Sequence, residues 1–317
     1  MNTKMWKKLM AGLMVLAAFV LVACSKDSKK DEGEASSGGL KVVATTTMLT
    51  DLVKQIGGDH VDVEGLMGPG IDPHGYNATA SDVSKMEKAD IVAYHGLHLE
   101  GKMVDIFDEM NKKGRKTIAL EDNYTEDDVM SGDATADVDI DPHTWFDVQL
   151  WKKAADQVTK KLSEYDADNA DDYAANNEAY QKELDELEAY IKGRIEEVPE
   201  KSRYLVTAHD AFNYFGTAYG FDVVGLQGIN TQTEAGTGDV SKLADFIVEK
   251  EIKAIFIESS VPTRTVESLQ EAVKDRGFEV SIGGELYSDA LGSKEDDADT
   301  YIKMYKANID TIVDALK

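Results

Sequence analysis

The sequence predicts two α/β lobes, each a parallel sheet with helices on both faces, bridged by one long helix. Three observations predict it. Short apolar, β-branched runs alternate with amphipathic stretches, which is the pattern of a parallel sheet. That alternation is written twice, once before residue 121 and once after residue 202. Between the two copies lies one extended amphipathic stretch ended by proline.

In the first copy, "LKVVATT" (Leu40–Thr46) is apolar and β-branched and reads as a buried strand. Met48–Ile56 reads as a helix closed by Gly57-Gly58. "HVDVEGLMG" alternates and reads as a strand running into a Gly/Pro loop. "TASDVSKMEKAD" opens on capping residues and reads as a helix. "IVAYHG" is a third strand, "LEGKMVDIFDEMNKKG" a helix stopped by glycine, and "KTIAL" a fourth strand. Glu121–Asp141 carries nine acids, no base and no period, and reads as an acidic loop. A helical region follows. Its "NEAYQKELDELEAYIKGRIEEV" places Tyr180, Leu184, Leu187, Tyr190, Ile191 and Ile195 at steps of three and four, which makes one apolar face. With its lead-in from Asp171 this helix is ~40 Å long at 1.5 Å per residue, and Pro199 ends it.

The second copy reads "RYLVTAH" (strand), "DAFNYFGTAYG" (helix), "FDVVGL" (strand) and "DVSKLADFIVEKE" (helix). It continues with "KAIFIES" (strand), "TRTVESLQEAVKDRG" (helix), "FEVSIG" (strand) and a last amphipathic helix from Asp297. The organisation predicted is a leader over 1–23, a tether over 24–39, an N-terminal lobe over 40–165, a bridging helix over 166–200 and a C-terminal lobe over 201–317.

The leader has a basic start (Lys4, Lys7, Lys8) and an apolar run from Leu9 to Ala23. That run, about 15 residues, falls short of the about 20 a membrane span needs, so it reads as a secretory signal. It ends in "LVAC", which matches the lipobox of bacterial lipoproteins, and Cys24 is the single cysteine of the chain. A disulfide framework is therefore excluded, and Cys24 is the predicted lipidation site. The polar, Ser- and Gly-rich stretch after it reads as a flexible tether. The formal net charge is −26, and removal of the three leader lysines makes it more negative still. Such a body is no partner for nucleic acid and a natural one for cations. Acidity serves solubility equally well.

Five prolines and six histidines occur in the whole chain, and two of each sit in one tetrapeptide, Ile-Asp-Pro-His, written at Ile71–His74 and again at Ile140–His143. Proline fixes its own φ and drives the residue before it into extended backbone, so each histidine leaves a stiff pedestal. Pre-set loops suit a metal site, whose ligands must be held closely. In an open parallel sheet, ligands bind beyond the carboxyl ends of the strands. His74 follows the second strand, His143 follows the acidic loop, His209 ends "RYLVTAH", and Asp289 in "GGELYSDALG" follows the last strand. If the lobes face each other, these four converge in the cleft. Three imidazoles and a carboxylate suit Zn²⁺, and Mn²⁺ or Fe²⁺ if the carboxylate binds through both oxygens. Each histidine taken singly reads equally well as an ordinary loop residue. Asp72 and Asp141 either orient the neighbouring imidazoles or cap the turn, and Glu258 at the end of "KAIFIES" is placed to accept from an imidazole.

The chain resembles the metal-specific solute-binding lipoproteins of bacterial ABC importers for manganese and zinc. The resemblance is carried by "GPGIDPHGYNATASD", "ADIVAYHGLHLEGKM", "DPHTWFD", "TAHDAFNYFG" and "LYSDALG", in that order, and covers essentially the whole mature chain. It implies two α/β lobes joined by a rigid helix, with metal ligands at His74, His143, His209 and Asp289. Some manganese receptors have glutamate at the third position, where this chain has His209. Many zinc receptors carry a histidine-rich loop in the first lobe, where this chain has only acids. The resemblance and the oxygen ligand together favour Mn²⁺ over Zn²⁺. They imply a monomeric receptor, not an enzyme, lipid-anchored on the extracytoplasmic face of the cell membrane. Its partner is an ABC permease.

Two other functions compete. A metallohydrolase would need an open coordination position and a base, and no HExxH or nucleophile motif is present. The other is a surface adhesin in which metal stabilises the fold. His95 and His98 in "YHGLHLEG" read as structural or as supports of a ligand near the strand end, His60 as a surface residue and Asp210 as the cap of the next helix. "GTGDVSKL" (Gly236–Leu243) lacks the ending of a phosphate loop and does not follow a strand directly.

Overall fold

Residues 39–132 and 139–317 are described by the structure, a computed structural model. The leader, Cys24 and nearly all of the tether lie outside the described residues. The first lobe is a four-stranded, wholly parallel sheet in the order β2-β1-β3-β4. Its strands are β1 (Leu40–Ala44), β2 (Val61–Gly65), β3 (Ile91–Tyr94) and β4 (Thr117–Ala119). Helices α1 (Thr47–Gly57), α2 (Ala80–Lys88) and α3 (Val104–Lys112) cross between them. Thr46 caps α1 and a Thr79–Asp82 capping box starts α2, so orphan N–H groups at both starts are satisfied.

Two helices then follow, α4 (Val148–Tyr165) and α5 (Ala170–Ile195). The 26-residue α5 packs on α4, on α1 of the first lobe and on α9 (Tyr301–Leu316) of the second. The second lobe holds β5 (Tyr204–His209), β6 (Asp222–Gln227), β7 (Ala254–Glu258) and β8 (Ser281–Leu286), with α6 (Asn213–Tyr219), α7 (Thr237–Glu249) and α8 (Arg264–Lys274) between them. The strands form two parallel pairs, β5-β6 and β7-β8, which meet where β5 packs beside β7.

One buried cluster runs through both lobes. It joins Val42 and Leu52 of the first lobe, Trp151 of α4, Leu184 and Leu187 of α5, Phe256 and Leu286 of the second lobe, and Ile309 and Ile312 of α9. Trp151 stacks on Tyr301 with centroids 4.7 Å apart. Smaller clusters line the outer face of each sheet. Close-packed interiors transmit strain rather than absorb it, so the shared cluster resists wide opening of the lobes.

Several elements differ from the sequence reading. The last strand begins and ends three residues later than "FEVSIG". Gly283 and Gly284 lie inside it, beneath α9. A Cβ on Gly283 would stand 2.8 Å from the Cβ of Ala315, and one on Gly284 would stand 2.5 Å from Cγ2 of Thr311. Helix and strand approach here too closely for a side chain. The helix expected from Leu99 starts at Val104, because the chain before it turns inward. Glu100 is buried and accepts from the Thr45 hydroxyl (2.6 Å) and the His95 N–H (2.9 Å). Asp210 does not cap the following helix: the N-cap is Phe212, with no side-chain cap bond. The acidic stretch contains a short 3₁₀ turn at Leu120–Asn123 and an isolated antiparallel bridge between Ser131 and Ile140.

Candidate metal centre

Three candidate ligands lie at or near the end of a regular element, and the fourth, His74, lies within a loop. His209 is the last residue of β5, paired in register with Gln227 of β6. Asp289 follows β8 and His74 lies in the loop after β2. His143 precedes a 3₁₀ turn at Thr144–Phe146, and Asp147 then caps α4 through a 2.8 Å bond from the Gln149 N–H. All four side chains are buried. One donor atom from each lies within 4.8 Å of the others, and this is the one such His/Cys/Asp/Glu group among the described residues.

The edges of this donor cage are informative. The three Nε2 atoms face inward, with His74 to His143 at 3.3 Å and His143 to His209 at 3.4 Å. Asp289 completes the cage, with Oδ1 3.4 Å from His143, Oδ2 3.4 Å from His209 and Oδ2 3.8 Å from His74. Ligands at ~2.0–2.2 Å from a tetrahedral centre are separated by about 3.3–3.6 Å. The cage therefore has the size of a coordination shell around a divalent transition metal. Neither oxygen of Asp289 has a hydrogen-bond partner, although both are buried. A buried carboxylate without hydrogen bonds must be balanced by charge: the imidazoles of His143 and His209, each 3.4 Å away, balance it in the metal-free protein, and a cation at the centre takes over that role.

The supporting carboxylates set the tautomers. Asp141 Oδ1 accepts from His143 Nδ1 at 2.7 Å and from the His143 backbone N–H at 3.0 Å. Glu258 Oε2 accepts from His209 Nδ1 at 2.5 Å, while Oε1 accepts the His209 backbone N–H at 2.8 Å. With Nδ1 donating to a carboxylate, Nε2 is left as the electron-pair donor. Asp141 is itself braced: Asn213 Nδ2 donates to its Oδ2 at 3.1 Å, and the Tyr214 hydroxyl to its carbonyl at 2.7 Å. Asp72 acts differently. Its Oδ1 accepts the His74 backbone N–H at 2.8 Å and leaves the ring alone. The two copies of I-D-P-H thus share a backbone turn and differ in how they hold the imidazole.

Charge in the cage follows from these partners. Burial holds the His74 imidazole neutral, down to about 3. Burial also opposes charge on His143, but Asp141 and Asp289 outweigh it and push the ring up to about 9. Glu258 and Asp289 raise His209 in the same way against its burial. Burial of Asp289 is likewise outweighed, by His209 first, and its carboxyl stays well below the usual range. A metal entering the cage displaces the protons held on His143 and His209.

The remaining sequence candidates fall outside the cage. His95 is buried, held by Thr46 Oγ1 at 2.8 Å and packed against Trp145 and Trp151. His98 is exposed in a turn at φ +61°. His60 pairs with Asp172 of α5 at 2.8 Å. Gly236 starts α7, and Asp239 accepts its N–H at 3.1 Å. Sequence reasoning did not single out Trp145, whose indole N–H donates to the Ser288 carbonyl at 3.0 Å and so ties the His143 turn to the Asp289 loop. It also passed over Thr231. The only signal for Trp145 was its place in "DPHTWFD", and Thr231 had none.

The sequence model of the family described as "ZnuA: Zinc-uptake complex component A periplasmic" matches residues 42–315. The manganese-binding lipoprotein MntA of Bacillus subtilis is 42% identical over 98% of this chain and 99% of its own length. The zinc-binding protein TroA of Treponema pallidum is 43% identical over 96% of both chains. The solved structure of that periplasmic zinc-binding protein superposes with a TM-score of 0.84 at 44% identity, covering 88% of this chain and 99% of the other. A Mn-bound periplasmic metal-binding protein from Candidatus Liberibacter asiaticus superposes with a TM-score of 0.77 at 27% identity, over 88% and 100%.

Proposed function

Because the chain belongs to the ZnuA family, we propose that it captures one divalent transition metal, Mn²⁺ ahead of Zn²⁺, outside the cytoplasm and delivers it to an ABC permease. His74, His143, His209 and Asp289 are the ligands, and the ion is cargo, not a cofactor of catalysis. The observation that carries the reading is Asp289, buried with both oxygens unpartnered and lying against two inward-facing Nε2 atoms within 3.4 Å. Both oxygens line the cage, so the carboxylate can bind in bidentate fashion. That raises the donor count beyond the four of a closed zinc site and suits Mn²⁺.

Zn²⁺ is the second reading, favoured by the tetrahedral edge lengths and by the zinc-binding relative. On the Irving–Williams order Zn²⁺ binds such a site more tightly than Mn²⁺ whichever ion is physiological. We infer that a lipid on Cys24 holds the receptor at the extracytoplasmic membrane surface, with residues 24–39 as its tether. Among the described residues no helix is long and apolar enough to cross a membrane.

The test is metal stoichiometry. The protein is stripped, dialysed against Mn²⁺ or Zn²⁺, and assayed by elemental analysis, alongside His74→Ala and Asp289→Ala. One equivalent per chain, lost in both variants, is the expected result. Two equivalents insensitive to both changes, or none, would remove the cage as the site. Uptake of each metal by cells carrying or lacking the gene then separates the two ions.

A further inference from the structure

Three ligands of the cage are held firmly and one is not. Asp141 and Glu258 hold the rings of His143 and His209 through Nδ1. The Asp289 loop is pinned by Trp145 Nε1–H to the Ser288 carbonyl (3.0 Å), by the Ser288 hydroxyl on that of Ser260 (3.0 Å) and by the Leu291 N–H to Thr47 Oγ1 (2.8 Å). Among the described residues, no carboxylate holds Nδ1 of His74. Its position depends on its loop, Leu66–Thr79 between β2 and α2.

That loop is bound to the second lobe through Asp72. One oxygen of Asp72 accepts the His74 N–H, and the other, Oδ2, accepts the hydroxyl of Thr231 at 2.5 Å. Thr231 lies in the segment between β6 and α7. A close approach to backbone and one to a side chain flank the bond. A Cβ on Gly70 would lie 3.2 Å from the Ser259 carbonyl oxygen, and one on Gly75 would lie 2.9 Å from Gln232 Nε2. Asp72 and Thr231 are both half-buried, so water can compete for their bond.

We propose that the Thr231–Asp72 hydrogen bond is a latch across the cleft that keeps His74 on the metal and sets how fast the metal leaves. The inference rests on the receptor reading above and deepens it. Thr231 is a positioning residue: it touches Asp72, Asp72 touches the His74 backbone, and only His74 touches the ion. When the latch opens, the His74 loop swings out while the other three ligands stay in place. The ion then has an open position, to which a donor of the permease or a chelator adds. Release through one gated ligand needs no wide separation of lobes whose core is shared.

Dissociation of Zn²⁺ from the full chain into excess chelator, followed by stopped-flow, tests the latch. Thr231→Val keeps the shape and removes the hydroxyl, and Thr231→Ser restores it. The expected result is one equivalent of Zn²⁺ in every protein and dissociation about tenfold faster in Thr231→Val, the scale of one hydrogen bond to a charged acceptor. Thr231→Ser returns to within about twofold, and Thr231→Val adds nothing further in an Asp72→Ala background. An unchanged rate in Thr231→Val, failure of serine to restore it, or additivity with Asp72→Ala would each overturn the latch. A wild-type protein that holds no metal would instead overturn the receptor reading, so the two failures are distinguishable.

Discussion

Glu258→Gln isolates the part played by a buried carboxylate that never touches the metal. Glu258 uses both oxygens on one residue, Oε2 on His209 Nδ1 at 2.5 Å and Oε1 on the His209 N–H at 2.8 Å. Glutamine has one acceptor for these two donors. If its carbonyl faces Nδ1–H, its amide faces the backbone N–H and leaves that buried donor unpaired. If it turns over, the amide donates to Nδ1 and moves the ring proton to Nε2, the atom that must bind the metal. Either orientation costs roughly 1–3 kcal/mol. At 1.4 kcal/mol per decade, that is roughly 5–140-fold in metal affinity. Competition with a chelator of known affinity, at fixed pH, reads the change directly, and stoichiometry stays at one. An affinity within about twofold of wild type would refute the argument, because it would mean that the tautomer of His209 is set by something other than Glu258.

Other expectations concern pH, the unused histidines and the bridging helix. Metal affinity rises with pH between 6 and 8, because His143, raised to about 9, and His209 must each give up a proton. The ceiling is about tenfold per pH unit per proton released, and a flat affinity profile would argue against protonated ligands. The metal-free protein behaves oppositely. The stabilisation from His143 is complete below its unfolded value near 6.5 and is lost as pH rises through about 9. Its melting temperature should therefore fall over that window, as calorimetry would show, while far-UV circular dichroism at pH 7 shows a folded chain without metal. A stripped protein unfolded at pH 7 would favour a purely structural metal. His95→Phe should keep one equivalent of metal by elemental analysis, since the His95 ring bonds to Thr46 and not into the cage; loss of the metal would make it a ligand. Leu187→Ala, at a fully buried position of α5, should cost about 2–5 kcal/mol in urea unfolding. A cost under about 0.5 kcal/mol would show that α5 does not pack as described.

The fold was largely legible where side-chain period is local. The alternating strands and helices and the apolar face of α5 need only neighbours three or four residues apart to be read. The misreadings have tertiary causes. The last strand reads as ending at Gly283, yet it runs on through Gly284 to Leu286, where α9 lies against it. Glu100 breaks the start of a helix because Thr45 and the His95 backbone, not solvent, are its partners. Asp210 reads as a cap because its sequence neighbours suggest one, yet the helix starts further on, after Phe212.

For the site, sequence alone determined which atoms were on offer: three imidazoles and a carboxylate, two of the imidazoles on proline-stiffened pedestals. It also placed His74, His209 and Asp289 at or beyond the carboxyl ends of strands, with His143 just past the acidic loop. Only the tertiary structure decided that His74, His143, His209 and Asp289 close into a cage with edges near 3.4 Å. It also decided that Asp141 holds a ring while Asp72, in the same tetrapeptide, holds a backbone and reaches Thr231. The reason is physical. Rotamer, cap and periodicity preferences act over a few residues, whereas the cage joins positions 74 and 289 through a core shared by both lobes. No local preference encodes that separation; the packing of α1, α5 and α9 sets it.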